Sequence, residues 1–115
     1  MTLPKISSTQ SPEEFEELLA QARKASDLLK ALSHESRWLI LCLLAEGEKS
    51  VSELERIIKM PQAAVSQQLA RLRFDRLVNT RREGRIIYYS IASEEVSSII
   101  GTLYELFCAP VRKNP

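Results

Sequence analysis

The segment Ser50-Val51-Ser52-Glu53-Leu54-Glu55-Arg56-Ile57-Ile58-Lys59-Met60-Pro61-Gln62-Ala63-Ala64-Val65-Ser66-Gln67-Gln68-Leu69-Ala70-Arg71-Leu72 divides into two short helices. Ser50 and Glu53 have the spacing of a capping box, in which each side chain satisfies a backbone N–H of the other. Val51, Leu54, Ile57 and Ile58 mark one apolar stripe. Met60-Pro61-Gln62 interrupts it, because proline cannot continue the helical hydrogen-bond ladder. Val65, Leu69 and Leu72 then recur at i, i+4 and i+7 and predict a second helix ending near Asp75. Two short helices across so tight a turn read as a helix-turn-helix.

Downstream, Leu77-Val78-Asn79-Thr80-Arg81-Arg82 and Arg85-Ile86-Ile87-Tyr88-Tyr89-Ser90-Ile91 flank Glu83-Gly84. Two β-prone runs around a two-residue turn ending in glycine predict a hairpin. Ser93 with Glu94 and Glu95 opens a last helix. Its stripe is Val96, Ile99, Ile100, Leu103, Leu106 and Phe107, and its end is expected near Cys108, before Pro110. Upstream, Ser11-Pro12-Glu13-Glu14 is a helix start, and Phe15, Leu18, Leu19, Ala22, Ala25, Leu29 and Leu32 carry that helix to about Leu32. Ser33 is expected to cap the next helix, with Glu35 in its first turn. Trp38, Leu39, Leu41, Cys42 and Leu44 make that helix apolar around much of its girth, as in a central, buried helix. The predicted fold is mainly α with a β-hairpin wing, a winged helix-turn-helix. Residues 1–10 are expected to be a flexible arm, 11–109 the DNA-binding and dimerisation domain, and 110–115 a tail.

At 115 residues the chain fits one domain, and 44% apolar with 27% charged residues is a globular composition. The longest apolar run, Leu39 to Ala45, is far short of the roughly 20 residues needed to cross a bilayer. No secretory pattern opens the chain, so a cytoplasmic location is expected. The net charge of +1 hides an asymmetry. Arg71, Arg73, Arg76, Arg81, Arg82 and Arg85 face only Asp75 and Glu83, whereas Glu13, Glu14, Glu16 and Glu17 form an acidic run. A local basic region is the footprint to seek for nucleic acid.

With Val65, Leu69 and Leu72 buried, a helical wheel puts Ala63, Ser66, Gln67, Ala70 and Arg71 on or beside the free face. Gln62 and Gln68 lie nearer its margin. Small residues let such a helix enter a major groove, where Gln can pair bidentately with adenine and Arg with guanine. Arg81, Arg82 and Arg85 on the wing suit phosphates or a minor groove. The expected partner is double-stranded operator DNA.

Leu32-Ser33-His34-Glu35-Ser36-Arg37-Trp38-Leu39-Ile40-Leu41, Ser52-Glu53-Leu54, Val65-Ser66-Gln67-Gln68-Leu69-Ala70-Arg71-Leu72, Leu77-Val78 and Arg82-Glu83-Gly84-Arg85 with Tyr88 or Tyr89 resemble the ArsR/SmtB family of bacterial repressors. The resemblance implies a homodimer on a palindromic operator, with the first and last helices at the dimer interface. Gln68 stands where many members have His, and Arg76 where many have Gly before Leu-Val, which puts the turn into the wing in question.

The family's usual effectors are metals, but neither of its known site types is present. The segment Lys49 to Leu54 has no thiol, and the last helix has Glu94, Glu95 and Glu105 but no His. His34, the one histidine, reads as a capping or surface residue. A closed zinc site needs four ligands, which two cysteines and one distant His do not supply within a subunit. No cofactor is expected. Cys42 and Cys108, 66 positions apart, are too few for a disulfide scaffold, and each alone reads as a buried small hydrophobe. Their contexts, Ile40-Leu41-Cys42-Leu43-Leu44 and Leu106-Phe107-Cys108-Ala109, resemble the persulfide-sensing, sulfide-responsive BigR/SqrR type of the family. That resemblance implies that Cys42 and Cys108 are sensing thiols. Reactive sulfur species would link them by a disulfide or polysulfide bridge and release DNA. Arg37, Arg112 and Lys113 are candidate cations for activating a thiolate. Three alternatives stay open: a metal sensor with an inter-subunit site, a thiol enzyme, and a winged helix that only mediates protein contacts. No grouping around either cysteine supports the enzyme.

Overall fold

Five helices and a three-stranded antiparallel sheet make up the computed structural model, which describes residues 5–8 and 11–112. In chain order they are α1 (Pro12–Leu32), α2 (Glu35–Glu46), β1 (Lys49–Ser50), α3 (Val51–Ile58), α4 (Gln62–Phe74), β2 (Val78–Glu83), β3 (Ile86–Ile91) and α5 (Glu94–Leu103). The expected N-terminal arm lies partly outside the described residues, and within it Ile6–Ser8 form one 3-10 turn. The predicted order, helix-turn-helix followed by a hairpin wing, is present. The core gathers Ile40, Leu41, Leu44, Leu54, Val65, Leu69, Leu72 and Ile100 from α2, α3, α4 and α5.

Local chemistry explains most boundaries. The Ser50 hydroxyl accepts from the Glu53 N–H at 3.2 Å, and the Glu53 carboxylate accepts from the Ser50 N–H at 2.9 Å, which completes the capping box. α3 ends where Lys59 turns left-handed (φ 64°), two residues before Pro61. Beyond α4, Arg76 is also left-handed (φ 62°). Its N–H donates to the Arg73 carbonyl, and the Leu77 N–H donates to the Leu72 carbonyl, at 3.0 and 2.9 Å. This is a Schellman motif with arginine where glycine is usual. The turn into the wing is therefore preserved despite the substitution.

Four local expectations need correction. Ser33 does not cap α2. It remains helical (φ −71°, ψ −11°), and its hydroxyl donates to the Lys30 carbonyl at 2.7 Å. Extended His34 holds the N-cap position without a side-chain cap, and its Nδ1 pairs with the Ser36 hydroxyl at 2.8 Å. The hairpin loop is Gly84-Arg85 rather than Glu83-Gly84, because Glu83 pairs with Ile86, and Gly84 takes the positive φ of 63° such a loop requires. The last helix does not stop at Cys108. It widens into a π turn at Tyr104–Cys108 and a 3-10 turn at Ala109–Val111 that accommodates Pro110. Finally, α2 is buried on one side only: Ile40, Leu41 and Leu44 are enclosed, whereas Trp38, Cys42 and Leu43 are half-buried and Leu39 is exposed.

The sequence reading also missed β1. Two residues suffice to pair with β3, Lys49 opposite Tyr89 and Ser50 opposite Tyr88, giving the order β1-β3-β2. This ties the cap of α3 directly to the wing. At the other extreme, α1 is poorly covered. Only Ala31 and Leu32 of its 21 residues are buried, while Phe15, Leu19 and Leu29 are 51%, 42% and 65% exposed. The radius of gyration of 16.9 Å exceeds the roughly 13 Å of a compact chain of this length. A long helix held by its last turn is consistent with that excess.

Candidate nucleic-acid interface and thiol groove

α4 has the two faces its sequence predicts. Val65, Leu69 and Leu72 are fully buried. Gln62, Ala63, Ser66, Gln67, Ala70 and Arg71 are exposed, and Gln68 is half-buried. Pro61 at the N-cap offers no side-chain acceptor, and the Ala64 and Val65 N–H groups donate to its carbonyl at 3.0 and 3.1 Å. Arg71 Nε donates to Asp75 at 3.0 Å with its side chain 60% exposed. A surface pair of this kind is weak enough to exchange for a stronger acceptor.

The three wing arginines differ. Arg82 and Arg85 are exposed, with no ion-pair partner among the described residues. Arg81 is held. Its Nε donates to both carboxylate oxygens of Glu48 at 3.2 Å, its Nη2 to Glu48 Oε1, and its Nη1 to Glu83 at 2.7 Å. Its guanidinium also lies 4.8 Å from the Tyr88 ring centre. The hydrogen bonds from Arg81 hold the Glu48 carboxyl below its ordinary range, and Glu48 and Glu83 raise the pKa of Arg81. Glu48 was not foreseen from the sequence. It lies 33 positions from Arg81, and no local spacing announces such a pair.

The second site is a groove of about 490 Å³ between the half-buried side of α2 and the turns after α5. Cys42 and Cys108 both line it, with Trp38, Leu43, Ile58 and Val111 as apolar walls and Glu46 and Arg112 as charged groups. Both thiols are free and half-buried. Burial pushes the Cys42 thiol up to about 11, with smaller contributions from Cys108 and Glu46. Of the three candidate cations, only Arg112 lines the groove among the described residues; it donates to the Tyr104 hydroxyl at 2.9 Å. Arg37 does not line it, and its Nε is buried without a hydrogen-bond partner among the described residues. Lys113 lies outside the described residues. Ile57, expected on the inward stripe of α3, is exposed and borders the groove. Among the described residues no three His, Cys, Asp or Glu side chains are grouped to hold a metal ion, and no helix is long and apolar enough to cross a membrane.

Comparison with known proteins agrees with this architecture. Residues 34–80 match the profile of the bacterial regulatory protein, arsR family. Over 98 residues the chain is 43% identical to the transcriptional activator HlyU of Vibrio cholerae, covering 85% of this chain and 91% of that one. It is also 43% identical over 90 residues to the biofilm growth-associated repressor of Agrobacterium fabrum, covering 78% and 77%. Among solved structures, reduced HlyU from Vibrio cholerae superposes with a TM-score of 0.77 at 44% identity, covering 81% of this chain and 98% of that one. The transcriptional repressor BigR from Xylella fastidiosa gives 0.75 at 40% identity, covering 82% and 96%. These relatives are named as regulators of transcription, not as enzymes.

Proposed function

Because the chain belongs to the arsR family of bacterial regulatory proteins, we propose that it is a cytoplasmic, dithiol-controlled repressor. It binds operator DNA as a homodimer when reduced and releases it when Cys42 and Cys108 become linked by reactive sulfur species. α4 reads base edges through Gln62, Ala63, Ser66, Gln67, Gln68 and Arg71, and Arg82 and Arg85 grip the backbone. Two copies meet through α1 and the last helical segment. The uncovered side chains of Phe15, Leu19, Leu29 and Phe107 support this. Burying such a side chain contributes about 1.5–3 kcal/mol.

One observation carries the sensing half: two free thiols 66 positions apart line the same groove. The chemistry follows from their difference. Burial disfavours the Cys42 thiolate, so in this reading Cys108 makes the first attack. Its thiolate attacks the outer sulfur of a persulfide RSSH, forming a Cys108 persulfide and releasing RSH. Cys42 then attacks the inner sulfur with loss of hydrosulfide, which gives the disulfide. If both thiols are persulfidated first, the two condense to a trisulfide with loss of hydrogen sulfide. Either link joins α2 to the end of the α5 segment and shifts the spacing of the two recognition helices. An operator with fixed half-sites is sensitive to that spacing, and a coupling of ~1–3 kcal/mol corresponds to a roughly 5–150-fold loss of affinity.

The test pairs intact-mass analysis with operator binding after treatment with polysulfide, peroxide or oxidised glutathione. Polysulfide should link the two thiols within one subunit, read as a loss of two hydrogens with no added sulfur for the disulfide or with one added sulfur for the trisulfide, and lower affinity. Cys42→Ser and Cys108→Ser should each fold and bind DNA constitutively. Release of DNA by polysulfide from either single variant would sink the two-thiol mechanism. Metal-dependent release by zinc, cadmium or arsenite, followed by equilibrium dialysis, would replace it with a metal sensor.

A further inference from the structure

Arg81 differs from its neighbours in what it already holds. Its one positive charge meets two carboxylates, Glu48 and Glu83, so the cluster carries a net negative charge. The cluster by itself offers a phosphate no net positive charge, unlike Arg82 and Arg85 beside it, which are unpaired among the described residues. Its position in the sheet is equally specific. Arg81 lies opposite Tyr88 on β3, and Tyr88 lies opposite Ser50 on β1. The row therefore runs from the wing through the sheet to the residue that caps α3. Glu48 itself sits between the end of α2 and β1. The guanidinium thus bridges the wing to the link between α2 and the helix-turn-helix.

We propose that Arg81 is a positioning residue, a latch that sets the wing against the helix-turn-helix through Glu48, Glu83 and Tyr88, and that it is not a DNA contact. The DNA-contacting wing residues are then Arg82 and Arg85. The inference rests on the reading of the wing as a backbone contact, and the experiment separates the two.

Binding of the full-length protein to a fluorescein-labelled mixed-sequence duplex is measured across a salt series, because phosphate contacts appear in its slope whatever the operator. Glu48→Ala decides between the roles by sign. With a latch it weakens binding roughly 3–10-fold, because the wing loses its orientation, and leaves the salt slope unchanged. With a DNA contact it tightens binding, by removing a nearby negative charge and freeing Arg81. Arg81→Ala should weaken binding to a similar extent without lowering the slope, and the double variant should bind no worse than either single one. The exchanged pair Arg81→Glu with Glu48→Arg should restore most of the loss. Tighter or unchanged binding by Glu48→Ala, or a slope lowered by about one in Arg81→Ala, overturns the latch.

Arg82→Ala with Arg85→Ala tests the underlying reading, since it must flatten the slope if the wing meets phosphates. Hydrogen exchange of the free protein does not depend on DNA. In Glu48→Gln, which keeps the shape of the side chain, the Arg82–Ile87 amides should exchange faster than in wild type, and unchanged exchange there also overturns the latch.

Discussion

Arg76 illustrates how much one residue's backbone can demand. Its left-handed φ of 62° crowds a β-carbon that glycine lacks. Arg76→Gly should relieve about 1–2 kcal/mol of left-handed strain against a glycine entropy cost of about 0.5–1 kcal/mol, a net gain read as a higher urea midpoint at fixed protein concentration. A lower midpoint would mean that the arginine side chain contributes more than the strain costs. Cys42 makes a second residue-level demand, one that depends on pH. Its folded-state value, about 11, lies above the ordinary 9.0. The associated stability is fully present below the unfolded value and is lost as pH rises through about 11. Site-resolved alkylation by iodoacetamide should show Cys42 reactivity still climbing towards that pH. A plateau near pH 9 would show that burial does not hold the thiol. The departures of this chain from its family pattern were legible by inspection, but their consequences were not. That Arg76 takes the glycine conformation unchanged depends on Leu72 and Leu77 both being buried, and that is a tertiary fact.

At the level of elements, periodicity was the reliable guide. The Val65, Leu69, Leu72 spacing and the Ser50–Glu53 pair rest on backbone geometry repeated within a few residues, and both appear as read. What failed was pairing at a distance or without period. β1 has only two residues and leaves no alternation to detect. Glu48 and Arg81 meet only after the sheet forms. The positions of Cys42 and Cys108 in one groove came from resemblance, because periodicity cannot relate two helices. The π turn at Tyr104–Cys108 was also invisible, yet it sets where Cys108 points. Such a turn equals an α-helix with one extra residue. Inserting an alanine after exposed Glu105 should advance the rest of the segment by one residue and rotate Cys108 by about 100° away from Cys42. DNA binding should persist while polysulfide no longer bridges the thiols by intact mass. Bridging that survives the insertion would show that the register of this segment is not what aims Cys108.

Across the whole molecule, the organisation is lopsided. The helix-turn-helix, the sheet and α5 share one core, and among the described residues α1 joins it only near its end, through Leu28, Ala31 and Leu32. If two copies pair through α1 as proposed, Leu19→Glu should yield monomer in sedimentation velocity and reduce affinity for a two-half-site duplex, since each half-site is then bound independently. An unchanged sedimentation coefficient would place the interface elsewhere. The uncovered α1 also bears on how such a regulator behaves in a growing cell. If a second copy completes α1, dilution acts on assembly before it acts on DNA. At low abundance, occupancy of a paired site follows the square of the chain concentration, so halving synthesis lowers occupancy about fourfold by mass action. Gene dosage and growth rate would then set how much effector is needed to switch the promoter, without any change in the thiols themselves.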